Sequence, residues 1–368
     1  MKRKISKLSS IILLAFIGIN ASAQLSDVSQ MMQGGMGDAE KLMTAYMNPM
    51  AKGFATSLSN GWYNTAKPHS LFGFDVTFTS SVNFLPKSEK TFDLSTLGLT
   101  TLKYDPLHSV AQTISGSGKN NSPVWIENTI GGKTIQKPMF NLPQGQGASF
   151  VPTVMIQAGL GLPFGSEIMF RFFPTVKIGK FADVGLWGIG AKHDIKQWIP
   201  VVSETPFWAL SAMIGYTSFY SSVKGTFLTP TVDNFYLNDV DMSKFSGQGV
   251  EMTAKAFTLN LLASTDIPII NLYAGLGYNF ASSNLKLTGY YPLPAPPTAQ
   301  DVTTDGQNAK ARVQLSAKDP ISINFKSNSG LRASIGLRLK LGLFTLHYDI
   351  TSSAGSTIHT AGMGFSFR

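Results

Sequence analysis

From Leu71 the chain settles into a two-residue rhythm. Phe72, Phe74, Val76, Phe78, Val82 and Phe84 fall on one side of an extended segment, and Gly73, Asp75, Thr77, Thr79, Ser81 and Asn83 on the other. The run is longer than the roughly 5–6 residues of a usual soluble strand. It suits a tilted strand that crosses a bilayer, which needs about 9–11. The rhythm recurs. Residues 150–162 and 166–176 flank the tight link Pro163-Phe164-Gly165, and in the second of them Ile168, Phe170, Phe172 and Val176 oppose Glu167, Arg171 and Thr175. It returns over 206–220, 269–286 and 328–341. After Gly342 it resumes with opposite parity, Phe344, Leu346, Tyr348 and Ile350 against Thr345, His347 and Asp349, and Ser353-Ala354-Gly355 then turns into a last segment. Residues 183–193 are glycine-rich with no clear facing. In 249–264 the apolar parity shifts near Phe257, which predicts a bulge.

The connections sort by length. If successive strands reverse direction, the Pro163, Asp266 and Gly342 turns share one end, and the long links 85–149, 221–248 and 287–327 share the other. Short turns inside and long loops outside are the habit of outer-membrane barrels. One exception is 194–205, with Trp198 and Pro200, which predicts a short helix. Ten strands are legible, and a further hairpin at Val110–Gly116 and Val124–Ile130 would make twelve. The expected architecture is therefore all-β and transmembrane: a closed antiparallel up-and-down barrel over residues 69–368, of about twelve strands (range ten to fourteen).

The first 68 residues follow a different pattern. Lys2, Arg3, Lys4 and Lys7 precede an apolar run from Leu8 to Ile19 and a small-residue site at Ala21-Ser22-Ala23, the layout of a secretory signal cleaved after Ala23. The alternative, an uncleaved anchor, suffers from the shortness of the apolar run. Residues 24–68 read as a helical plug or hatch. Leu42, Met43, Tyr46 and Met50 share one helical face from Asp38 onward. Asn48 is placed to cap, and Pro49 to begin, a second short helix that includes Phe54 and ends near Ser59, with Gly61 as its stop. The methionines Met31, Met32, Met36, Met43, Met47 and Met50 make this segment soft and adaptable. These features mark Leu42, Met43, Tyr46, Asn48, Pro49, Met50 and Phe54 as candidate gate residues.

Composition agrees with a membrane barrel. Charged residues are 14 % and aromatics 11 % of the 368-residue chain, against about 25 % charged in a typical soluble domain. Loss of the signal removes four basic residues and lowers the formal charge from +9 to +5. What remains is scattered, so nucleic acid is a poor partner. Cysteine is absent, which excludes disulfides, thiolate metal sites and a lipidated cysteine anchor.

The last segment, Thr360-x-Gly362-x-x-Phe365-x-Phe367, resembles the C-terminal signal by which Gram-negative assembly machinery recognises outer-membrane barrels, apart from the extra Arg368. The stretches Asn60-Gly61-Trp62-Tyr63-Asn64-Thr65-Ala66-Lys67-Pro68-His69, Asn141-Leu142-Pro143-Gln144-Gly145, Gly161-Leu162-Pro163-Phe164-Gly165 and Lys192-His193-Asp194-Ile195-Lys196-Gln197-Trp198 resemble an uncharacterised family of Gram-negative outer-membrane barrels. That resemblance implies a barrel and an outer-membrane address, and no activity. A more distant similarity is to outer-membrane long-chain fatty-acid transporters, which place an Asn-Pro-Ala motif in an N-terminal hatch; here Asn48, Pro49 and Met50 stand there, without the alanine.

Catalytic signals are sparse. The five histidines lack metal-ligand spacing, and Gly185-x-x-Gly188-x-Gly190 lacks the order and context of a nucleotide fingerprint. An outer-membrane lipid hydrolase would need serine, histidine and asparagine together; Ser334, His347 and Asn279 lie on strands, but their facings assemble no triad. The expectation is a non-enzyme without cofactor or metal. Glu167, Arg171, Arg332, Arg338, Lys340 and Asp349 should face the lumen, because Arg or Lys against lipid costs roughly 2–4 kcal/mol at mid-bilayer. They read either as a network closing a small barrel or as a track for an anionic solute. The function expected is passive uptake of hydrophobic or amphipathic small molecules. The alternative is a structural or surface-binding barrel with an occluded lumen. The partners expected are outer-membrane lipid, the barrel-assembly machinery and a hydrophobic small-molecule ligand.

Overall fold

The computed structural model describes residues 31–367, apart from 120–121, 131–132, 179–181, 201–202, 204, 233–234, 239, 296–297, 306–309 and 326–328. The predicted signal segment lies outside the described residues. Ten strands form the barrel and are numbered here along the chain: β1 Phe74–Phe84, β2 Phe150–Leu162, β3 Ser166–Ile178, β4 Ala182–Asp194, β5 Trp208–Gly225, β6 Gln248–Thr265, β7 Ile270–Thr288, β8 Gly330–Leu341, β9 Phe344–Ser353 and β10 Ser356–Phe367. Each pairs antiparallel with its neighbours in sequence, and β10 returns to β1, with Phe365 opposite Val76 and Phe367 opposite Phe74. Closure leaves no edge, the condition for a sheet to cross a bilayer. Among the described residues no helix is long and apolar enough to do so.

Alternation follows the pleat. Phe74, Val76, Phe170, Leu272, Ile335 and Leu346 stand outward and exposed, while Asp75, Thr77, Thr79, Ser81, Gln157 and Thr351 are buried inside. The barrel has ten strands and not twelve. The additional hairpin expected within 85–149 lies outside the barrel: Val110–Gln112 pairs with Thr91–Asp93, and Pro123–Ile130 pairs with Leu102–Tyr104 and Lys133–Asn141 in a separate small sheet. Nor is there a bulge near Phe257, since β6 keeps an unshifted register with both neighbours. The parity changes there because Ala254 and Ala256 face inward against a helix, so part of the lumen wall is apolar. The predicted helix in 194–205 is a single 3₁₀ turn, Lys196–Trp198.

The N-terminal region is one helix, α1, Met36–Ser57, with Pro49 inside it and no break at Asn48-Pro49. Proline forfeits one backbone bond in a helix interior. Here both halves of α1 pack into the same body, which holds them in line. Leu42, Met43 and Tyr46 enter an apolar cluster at the long-loop end, and Phe54, Ala55 and Leu58 enter a second inside the barrel. The long-loop cluster includes Leu94, Leu102, Ile114, Val124, Leu142, Tyr291 and Phe325. It is the core of a folded cap built by links 85–149 and 289–329 over the upper parts of β6 and β7. A strand outside the barrel, Ile321–Phe325, adds to β7 at Ser283–Leu287, above the point where β8 leaves it.

At the short-turn end, Phe72, Phe164 and Phe207 adopt left-handed backbones with φ of +61°, +61° and +68°. Such a conformation costs a non-glycine residue roughly 1–2 kcal/mol. All three rings point outward and are among the most exposed in the chain. Aromatic rings are favoured at the level of lipid headgroups, which suits exposed rings at this end of the barrel.

Candidate functional site

The lumen is occupied by the chain itself. Below α1, residues 58–69 run through the barrel to the start of β1, and wall side chains hold them at successive levels. The last carbonyls of a helix have no partner within it. Here Leu58 O accepts from Arg171 Nη1 (3.1 Å) and Thr217 Oγ1 (3.1 Å), Ser59 O from Arg332 Nη1 (2.8 Å) and Asn60 O from Arg171 Nη2 (2.6 Å). Two guanidinium groups thus sit at the negative end of the α1 dipole, where cations are favoured. Lower down, Gln157 donates to Trp62 O (3.0 Å), Tyr63 OH meets Ser334 Oγ (2.7 Å), and Ala66 bridges Ser211 and Ser264. The His69 N–H ends the series on Glu167 (3.0 Å).

Trp62 is the keystone of this packing. It is 1 % exposed, and the Arg171 guanidinium lies 3.7 Å from its ring centroid. The ring rests on two strand glycines: a Cβ on Gly190 or Gly215 would come within 2.8 or 2.6 Å of it. Gly190 of β4, a strand with no clear facing in the sequence, and Gly215 of β5 thus make room for the plug.

The six candidate lumen charges face inward but form no continuous track. Arg171 and Arg332 cap the plug. Glu167 pairs with Lys192 at 3.0 Å, both 4 % exposed. Asp349 accepts from Tyr273 OH (3.0 Å) and Thr351 (3.1 Å). Arg338 and Lys340 lie apart from these, at the short-turn mouth. Among the gate candidates, Leu42, Met43 and Tyr46 belong to the cap, and Tyr46 OH donates to Gln144 O at 2.9 Å. Pro49 is buried, and Asn48 and Met50 are half-buried, in mid-helix. Phe54 meets Phe219 edge-on with centroids 4.6 Å apart. Of the residues in the terminal signal, Phe365 and Phe367 face outward from β10, and Gly362 faces His347. Ser334, His347 and Asn279 all lie inside the barrel. Ser334 is bonded to Tyr63, Asn279 to Thr258 and Ser353, and among the described residues neither ring nitrogen of His347 has a hydrogen-bond partner.

Sequence spacing missed a second cluster. His69, Asp75 and Glu167 bring ligand atoms within 4.8 Å of one another. His69 Nε2 lies 3.2 Å from Asp75 Oδ1, Thr77 donates to Asp75 Oδ2 (2.6 Å), and the Lys192 ammonium balances Glu167. The cluster acts as a hub that ties the plug's exit to β1, β3 and β4. Pairing of β1 with β2 and of β2 with β3 brings Glu167 beside Asp75 and His69, so no linear motif could have revealed the cluster.

In the cap, Asp38 is the corresponding anchor. It accepts from the backbone N–H groups of Thr100 (2.9 Å), Thr101 (2.8 Å) and Leu102 (2.8 Å). Burial works to raise its pKa, but these donors and the Thr100 hydroxyl together hold it below the ordinary carboxylate value.

A closed antiparallel barrel with an apolar exterior and a polar, self-filled interior defines this chain as a membrane-spanning β-barrel of the outer-membrane type. The chain belongs to DUF6588, a family of unknown function, whose sequence pattern matches residues 1–367. No curated protein matches the sequence. Solved barrels that superpose on it include the translocator domain of the autotransporter NalP from Neisseria meningitidis, with 10 % identity over 88 % of this chain and 97 % of that one, at a TM-score of 0.31. The attachment invasion locus protein Ail of Yersinia pestis follows at 8 % identity, 81 % and 99 % coverage and a TM-score of 0.23. The toluene transporter TbuX of Ralstonia pickettii gives 7 %, 87 % and 97 %, and 0.23. Likeness at this level carries no argument about what this chain does.

Proposed function

We propose that this chain, exported by a signal cleaved after Ala23, is an outer-membrane barrel held closed by its own N-terminal segment. Its folded cap faces outward and serves a structural or surface-binding role. The observation that carries this reading is the ladder of wall side chains gripping residues 58–69 from Leu58 to His69. Each buried rung is worth on the order of 0.5–1.5 kcal/mol net, and more where a charged donor is used.

Uptake of hydrophobic or amphipathic small molecules is the second reading. It is favoured by one feature: the plug is held by side chains and not by strand pairing, so it can leave without opening the sheet. A tether separates the two. Thr65 and Ser264 bring their hydroxyl oxygens to 3.2 Å, and the chain has no cysteine, so Thr65→Cys/Ser264→Cys gives a clean reversible lock. Proteoliposomes of the native protein, and of the double variant whether its lock is reduced or oxidised, should be no more permeable to small solutes than empty liposomes. Solute entry that is present when reduced and stops on oxidation would replace the closed reading with uptake.

A further inference from the structure

The short-turn mouth of the barrel holds a cavity of about 260 Å³ between the plug's exit and the β7–β8 wall. Its charged lining is one-sided: Lys67, Arg338 and Lys340 against Asp266. Asp266 is already taken by Lys67, at 2.7 Å. Arg338 and Lys340 stand two residues apart on β8, hence on the same face and roughly 7 Å apart along the strand. Neither has an ion-paired carboxylate among the described residues. The nearby lumen carboxylates are engaged elsewhere, Asp75 with His69 and Thr77 and Glu167 with Lys192. Arg338 is 7 % exposed, yet among the described residues its Nε has no hydrogen-bond partner, and the bond it makes to Ser366 Oγ is long at 3.4 Å. A desolvated guanidinium beside a second cation is costly unless an anion joins them.

We infer that this cavity is a binding site for a small oxyanion, a carboxylate or a phosphate, reached from the short-turn side. The lining supplies donors in the right number. The Arg338 fork can engage two oxygens of one group, as guanidinium groups do with carboxylate and phosphate. Lys340 adds a point charge and Ser366 a hydroxyl. Asn271 spends its carbonyl oxygen on the Ile267 N–H (3.0 Å), which leaves its amide nitrogen as a further donor. The volume suits a phosphate or a short dicarboxylate and is below the roughly 300 Å³ at which drug-sized pockets begin.

The test uses the full-length protein in a neutral detergent, titrated calorimetrically with inorganic phosphate and, separately, with succinate. Ionic strength is held constant with chloride. A third arm measures binding of the protein in nanodiscs with and without phosphatidylglycerol. Saturable one-to-one binding is expected, weakened at least tenfold by Lys340→Gln, weakened by Arg338→Lys, which keeps the charge but loses the fork, and unchanged by Lys255→Gln on the outer face of β6. Binding seen only with phosphatidylglycerol, and lost in Lys340→Gln, supports the site with a lipid phosphate as its source. No saturable binding in any arm, or equal affinity in Lys340→Gln, overturns the inference. The permeability result for the plug leaves it unaffected in either direction.

Discussion

Trp62→Ala is the sharpest probe of the closed barrel. The ring is 1 % exposed, stacks on Arg171 and rests on the bare backbones of Gly190 and Gly215. A tryptophan buries roughly 150–250 Å², worth about 4–6 kcal/mol at 25 cal/mol per Å². Replacement by alanine in cores costs about 3–5 kcal/mol. The site cannot collapse to refill the space, because glycines lack the side chains that would move in, so the full range applies. Loss of the ring strands no hydrogen-bond acceptor among the described residues, since its Nε1 has no partner there. If the plug must leave the lumen to open, about 3 kcal/mol raises the open fraction more than a hundredfold. Ser59→Cys provides the readout. Ser59 is buried, its hydroxyl has no partner among the described residues, and the chain has no other thiol. A membrane-impermeant maleimide should label Cys at this position slowly in the parent and at least a hundredfold faster with Trp62→Ala, while heat-resistant barrel mobility on gels is unchanged. Labelling rates that agree within threefold would show that Trp62 packing does not hold the plug.

Gly215→Leu forces a side chain into the space of the Trp62 ring and should cost about 1–3 kcal/mol by overpacking, read as faster labelling at position 59 in the same assay. Asp38→Asn should loosen the cap by about 1–3 kcal/mol, since its three backbone donors lose a charged acceptor; limited proteolysis within 95–145 reports it. Because the folded pKa of Asp38 lies below the usual value near 3.9, its stabilisation is complete above that pH and is lost as pH falls through the folded value. Cap proteolysis should therefore rise with acidification in the parent and lose that dependence in Asp38→Asn. Ile335→Arg places a cation on the outward face of β8 and should cost about 2–4 kcal/mol in lipid-bilayer unfolding, whereas a cost below 1 kcal/mol would mean that this face does not meet hydrocarbon.

Strand positions, the sorting of long and short connections and, except in the glycine-rich β4, the facings were legible in the sequence. Each rests on period-two alternation, a local property that lipid on one side and a wet or polar interior on the other enforce residue by residue. Phe74 to Phe84 could be assigned from its own letters, and so could the Gly342 reversal of parity. Tertiary structure alone decided the rest. Pro49 reads as a helix start, yet it lies within α1 because two apolar clusters hold both halves of that helix in line. The shift near Phe257 looks like a bulge, but it records a helix packed inside the wall. Trp62 joins Arg171, Gly190 and Gly215 only when β3, β4 and β5 pair around the plug, and Arg338 and Lys340 gain Asn271, Ser366 and Lys67 only when β7, β8 and β10 surround the plug's exit. Such contacts join residues far apart along the chain, and strand register and the path of the plug, not any local preference, set the distances between them.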